Sequence, residues 1–270
     1  MKSIKILVAA ISLFSLLGVL DALAAPTTSN NSAGYVVQNT SWLHYSDYGF
    51  KSVQGTWIVP TLDCSSTPNA QAGPWVGIEY SNSITQIGTS FKCSNGNPSY
   101  KAWWMNYVFC EKPPEDCEPN FQTNINSINI HAGDRITAWV IYQGNGHFYL
   151  QIFNLNGKQF YSIGTSPPVT VTPFTKASWM MEAPLRLESS GRIVQTPLAN
   201  FGTFTFVSAQ YTDDTGTTYA IDGKASNTIS QYNMADPNGG YACTSGLKSF
   251  YGSPQRSSFL VTYSTSQCPL

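Results

Sequence analysis

The chain has 270 residues, with 14 basic side chains against 15 acidic ones, so its formal net charge is −1. That balance gives no reason to expect a nucleic-acid partner. Charged residues make up only 11% and aromatic ones 13%, so protonating every carboxylate adds little repulsion, which suits life in acid.

Residues 1–24 read as a secretory signal. Lys2 and Lys5 give a positive start, Ile6 to Leu20 form an apolar run, and Ala22-Leu-Ala24 fits the small-residue cleavage rule. No later segment is apolar enough to span a bilayer, so the expected product is exported and free of the membrane after cleavage. Residues 25–33 are polar and expected to be a flexible lead-in. Residues 34–270 are long enough for one large all-β domain.

Within that domain, runs rich in β-branched and aromatic residues predict strands at Gly34–Val37, Ser52–Val59, Ile128–Ile130, Arg135–Tyr142, Phe148–Phe153, Phe201–Val207 and Phe259–Tyr263. Turn signals separate them, among them Ala132-Gly-Asp134, Gly144-Asn-Gly146 and Asn154-Leu-Asn-Gly157. Over 201–207, Phe201 falls on one face and Phe204 and Phe206 on the other, which predicts one face in a core and the other lining a groove. No long stretch has a helical period. The predicted fold is an antiparallel β-sandwich of jelly-roll or concanavalin-like type with two large curved sheets.

Six cysteines, at 64, 93, 110, 117, 243 and 268, fall in what should be an oxidising compartment. Sequence cannot rank their fifteen full pairings; neighbours along the chain would give Cys64–Cys93, Cys110–Cys117 and Cys243–Cys268. There is no Cys-x-x-Cys, and His44, His131 and His147 are scattered, so neither a metal nor another cofactor is expected. Asn30-Asn-Ser32 and Asn39-Thr-Ser41 are formal glycosylation sequons.

Two segments carry chemistry. Trp75-Val-Gly-Ile-Glu79 leads to Ile84-Thr-Gln86-Ile-Gly88, and Ala177-Ser-Trp179-Met-Met-Glu182 is followed by Ala183-Pro184. Each sets one polar group, Gln86 or Glu182, among apolar neighbours. A carboxyl there is costly to ionise and serves as acid and base in turn. An amide cannot titrate, but it orients a water or donates to an oxyanion. Other nucleophile patterns fall short: no Gly-x-Ser-x-Gly occurs, and Asp214-Thr-Gly216 has no second copy.

Both segments resemble the signatures of the glutamic peptidases, the eqolisin family. Ala177, Trp179 and Glu182 match in register, with Ser178 standing where the family has a Glu. The likeness extends to the opening strands, to Tyr100-Lys-Ala-Trp103-Trp104, and to the closing half around Phe201–Phe206 and Ile221-Asp-Gly223. It implies an acid endopeptidase with Gln86 and Glu182 as the catalytic dyad, using an activated water without metal or covalent intermediate. It also implies Trp75, Glu79, Trp103 and Trp104 as substrate-binding residues and a polypeptide as substrate; the expected state is a monomer. The rival readings are a glycoside hydrolase using Glu79 with Glu182, or a carbohydrate-binding module on the same sandwich.

Overall fold

The computed structural model describes residues 26–39, 49–80, 83–108, 122–165, 175–187, 192–249 and 256–269. The expected signal sequence, the Cys110–Cys117 loop and most of the second sequon lie outside them. No helix in the described residues is long and apolar enough to cross a membrane.

The strands run in chain order as Thr27–Ser29 (β1), Ser32–Asn39 (β2), Ser52–Ile58 (β3), Gln71–Tyr80 (β4), Ser83–Ser94 (β5), Asn97–Val108 (β6) and Thr123–Ile125 (β7). There follow Arg135–Gly144 (β8), His147–Asn154 (β9), Gln159–Gly164 (β10), Lys176–Glu182 (β11), Leu185–Leu187 (β12) and Ile193–Gln195 (β13). The last are Thr203–Thr212 (β14), Thr218–Ala220 (β15), Asn227–Ala235 (β16), Tyr241–Thr244 (β17), Lys248–Ser249 (β18) and Arg256–Ser264 (β19). Among the described residues all pairings are antiparallel except β1 with β16 and a single bridge at Gln71.

The main ladder runs β10-β9-β8-β3-β14-β19-β17-β16-β2-β11-β4-β5-β6-β7. It curves back until its two halves face each other, giving the predicted sandwich. Between them lie Trp57, Ile136, Ala138, Val140, Leu150 and Ile152 from one half and Val76, Ile78, Ile87, Phe91 and Trp179 from the other, all buried. The two large indoles carry their polar atoms across the layers: Trp57 Nε1 donates to Thr89 Oγ1 at 3.0 Å and Trp179 Nε1 to the Gln54 carbonyl at 2.7 Å. Neither burial leaves an N–H unpaired. Disulfides join Cys64 to Cys93 and Cys243 to Cys268.

Asn95-Gly96 and Asn145-Gly146 make two-residue hairpin turns in which both residues have positive φ (50° and 79°, 51° and 77°). That backbone matches the twist of the flanking strands, so the turns fix the register of β5–β6 and β8–β9.

Three expectations are corrected. Residues 27–33 are not a loose lead-in: β1 pairs with β16, and Ser29 Oγ ties the turn through Asn31 N and Ser32 N. Ile128–Ile130 is not a strand. Ile128 and Ile130 are buried, but the intervening backbone is satisfied by side chains, Asn129 N donating to Gln159 Oε1 and its carbonyl accepting from Asn154 Nδ2, both at 2.8 Å. Phe201 lies outside β14; Gly202, with φ +61°, bends the chain and sends Phe201 into the same core as Phe204 and Phe206. The aromatics of this segment line no groove.

Candidate active site

In an antiparallel ladder, directly opposed residues project from the same face. Across β6, β5, β4, β11 and β2, one row therefore reads Met105, Gln86, Gly77, Ser178, Val36. The row on one side is Trp103, Gly88, Trp75, Met180, Gly34, and the row on the other is Tyr107, Ile84, Glu79, Lys176, Gln38. Glu182, opposite Gly73 and Ser32, stands one row beyond Trp75.

This face forms a cleft of about 510 Å³ whose lining includes Gln86, Glu182, Trp75, Trp103 and Glu79. Its floor is a second apolar cluster, Val36, Trp75, Ile84, Trp103 and Met180, distinct from the main core. The alternate residues of the same strands, Val76, Ile78, Ile87, Ala102, Trp179 and Met181, face that core.

Glycine makes the close approach possible. A Cβ on Gly88 would stand 2.2 Å from the Pro74 carbonyl oxygen and 2.8 Å from Trp75 Cβ. One on Gly77 would meet Trp75 Cζ3 at 3.0 Å and Gln86 Cβ at 3.1 Å, so the indole lies over Gly77 beside Gln86. Its other end reaches the carboxyl: Trp75 Nε1 donates to Glu182 Oε2 at 2.8 Å. Trp75 thus spans the space between the two groups of the expected dyad.

The Glu182 carboxyl is raised from the usual glutamate value to about 7, chiefly because its apolar surroundings desolvate it. The Trp75 N–H works against that rise and the negative charge of Glu79 adds to it. A second donor, Asn31 Nδ2, lies 3.2 Å from Glu182 Oε1. Gln86 is buried, and its Oε1 has no hydrogen-bond partner among the described residues; the same holds for Trp103 Nε1 in the cleft.

Glu79 leans toward the Gln86 row, where Ser178 Oγ donates to its Oε1, and Lys176 Nζ lies 3.8 Å from its Oε2. The serine that departs from the family pattern is thus a partner for the acidic side chain of the neighbouring strand. Trp104 is corrected: it projects from the other face of β6 and packs against the main core, because strand residues alternate. Met105 and Tyr107, where the sequence departs from the family pattern after Trp103-Trp104, line the cleft; so do Asn31, Lys176, Met180 and Tyr232, which were not singled out from the sequence. The period of two would have found most of them, since Lys176, Ser178, Met180 and Glu182 share a face, as do Trp103, Met105 and Tyr107. Asn31 carried no such signal; its neighbours read as a glycosylation sequon. Among the described residues no three of His, Cys, Asp or Glu gather as metal ligands.

The sandwich and this cleft, with an amide, a proton-holding carboxyl and an indole between them, define a glutamic-type peptide hydrolase. The chain belongs to the peptidase A4 family, whose model matches residues 30–247. Among solved structures, it is similar to scytalidoglutamic peptidase bound to a peptide-based transition-state analog (20% identity, 88% of this chain and 100% of that one, TM-score 0.65). It is also similar to SCP-B, an eqolisin family member in complex with the tripeptide Ala-Ile-His (20%, 88% and 100%, TM-score 0.61). A third is aspergilloglutamic peptidase from Aspergillus niger (23%, 72% and 99%, TM-score 0.50). No curated protein matches the chain.

Proposed function

We propose that the protein is a secreted acid endopeptidase in which Glu182 and Gln86 activate a water against a peptide bond. The observation that carries this reading is the carboxyl raised to about 7 in a cleft that also holds a buried amide oxygen without a partner among the described residues. Below pH 7 Glu182 enters the reaction protonated. It passes that proton to the scissile carbonyl oxygen as the nucleophilic water, hydrogen-bonded to Gln86 Oε1, attacks the carbonyl carbon and gives its own proton to the Glu182 carboxylate. Gln86 Nε2 donates to the oxygen of the tetrahedral intermediate. Glu182 then protonates the leaving amine as the C–N bond breaks; the hydroxyl proton of the intermediate returns to Glu182, which is again neutral. Glu182 gives up and regains a proton twice and ends as it began, so the rate follows its protonated fraction and holds in acid.

Trp75, Trp103 and Glu79 shape the substrate cleft, and an apolar floor favours extended peptides with bulky apolar side chains. The expected signal sequence and the disulfides fit export to an oxidising medium. Glu79 is engaged by Ser178 and Lys176, which favours a supporting role over that of a second glycosidase carboxyl.

The test is digestion of a denatured protein at about pH 3–4 with pepstatin present. Wild type should cleave, Glu182→Gln should be inert, and Gln86→Ala should lose about 100-fold or more in kcat. A folded wild type that cleaves nothing, or a fully active Glu182→Gln, overturns the proposal.

A further inference from the structure

The carboxyl of Glu182 is held at both oxygens. Trp75, two residues from its cross-strand neighbour Gly73, supplies the donor to Oε2; the donor to Oε1 comes from the other end of the chain. Asn31 sits in the short turn between β1 and β2, and three contacts fix it there. Its carbonyl accepts from Ala183 N at 2.8 Å, clamping it to the residue after Glu182. Its own N–H points at Ser29 Oγ (3.4 Å), and the Ser29 hydroxyl lies 3.3 Å from Asn31 Oδ1. With Oδ1 turned toward that hydroxyl, Nδ2 is left facing Glu182, the orientation a carboxylate requires. The turn is itself anchored: β1 pairs with β16, and the Asn30 carbonyl accepts from Gln195 Nε2, which also donates to Asp236.

We propose that Asn31 is a positioning residue for the reaction: its amide fixes the rotation of the Glu182 carboxyl about its last bond and holds Oε1, making the N-terminal turn a working part of the active site. The inference rests on the reading of Glu182 as the proton-carrying group. A carboxyl with one donor can swing about the Trp75 contact. With two donors, one on β4 and one in the β1–β2 turn, its plane is set relative to the water and to Gln86, and near-attack geometry is sensitive to such displacements. Both donors also favour the ionised form that the apolar cleft opposes. The other titratable groups lining the cleft are Glu79, Lys176, Tyr107 and Tyr232. Of these, Glu79 opposes ionisation of Glu182 by its negative charge, and Lys176 lies against Glu79.

The experiment compares wild type, Asn31→Leu, Asn31→Asp and Glu182→Gln in kcat, KM, the pH profile of kcat/KM on a peptide substrate, and ¹³C NMR titration of the Glu182 carboxyl. Leucine keeps the branched shape of the side chain and the backbone contact to Ala183 but removes the amide. It should lower kcat by about 10- to 100-fold with KM within about twofold, the size expected for losing a hydrogen bond to a charged group. It should also move the Glu182 titration, and the descending limb of the pH profile, upward by about one pH unit. Asn31→Asp keeps the Ser29 contact but swaps donor for acceptor, and should move the titration further the same way; it serves if the leucine variant fails to fold. A folded variant with wild-type kcat and an unmoved titration overturns the proposal. An inert wild type or an active Glu182→Gln would instead defeat the peptidase reading, and the NMR titration would still decide whether Asn31 holds the Glu182 carboxyl.

Discussion

Replacing Glu182 by Gln should make the protein more stable at neutral pH while abolishing its activity. The folded-state value of about 7 exceeds the ordinary 4.5 of a free glutamate, so the folded chain holds this proton more tightly than the unfolded one. For a raised group the sign is fixed. Stability is complete below about pH 4.5, declines as the pH rises and the unfolded chain gives up the proton first, and levels off above about pH 7. At about 1.4 kcal/mol for each tenfold change in proton concentration, the loss over that window is on the order of 3 kcal/mol. For a domain of this size that corresponds to a fall of roughly 6–12 °C in Tm. The substituted amide keeps the shape of the side chain and an acceptor for Trp75 Nε1 but cannot ionise, so the variant's stability should lack this component. Thermal unfolding of wild type and Glu182→Gln at intervals from about pH 4 to 8 gives two curves that should separate progressively, with the variant higher at the alkaline end. Parallel curves would refute the reasoning, because they would mean that Glu182 ionises as easily in the fold as out of it.

Gly88→Ala should cost about 3 kcal/mol or more, because the added methyl meets backbone rather than a movable side chain; Tm or soluble yield reports it. Trp103→Leu and Trp104→Leu should part company in kinetics. The first alters the cleft and raises KM, while the second leaves KM unchanged and lowers stability by about 2 kcal/mol. Changing Cys243 and Cys268 together to Ser should cost about 3–4 kcal/mol in denaturant unfolding, the loop-closure value for a separation of 25 residues.

Much of this architecture was legible because it depends on short-range chemistry. The runs holding Trp57, Ile136, Val140 and Leu150 are rich in β-branched and aromatic residues, the composition that packs well on a pleated sheet. Gln86 and Glu182 stood out as polar groups in apolar runs. What was not legible depends on partners far along the chain. Ile128–Ile130 has a strand's composition, yet its backbone is satisfied by Asn154 and Gln159, 25 and 30 residues from Asn129. Asn31 meets Glu182 across 151 residues, and no local pattern encodes that contact. Trp104 was misplaced for a simpler reason: two adjacent tryptophans in a strand cannot share a face.

The raised carboxyl and the fold have one physical cause. A sheet covered on one face alone would alternate apolar and polar residues, but β4, β5 and β11 are apolar on both: Val76, Ile78, Ile87, Trp179 and Met181 toward the core, Trp75, Ile84 and Met180 toward the cleft. The second apolar face adds little to the main core, and its cost is an exposed concave surface that water wets poorly. On that surface a glutamate cannot find the solvation it needs to ionise, so it holds its proton until about pH 7. Where the same rows do carry charge, at Glu79 and Lys176, the two groups lie close together and Ser178 donates to the carboxylate. The residues that make this face apolar thus account for the proton held at Glu182, the group on which the proposed acid mechanism turns.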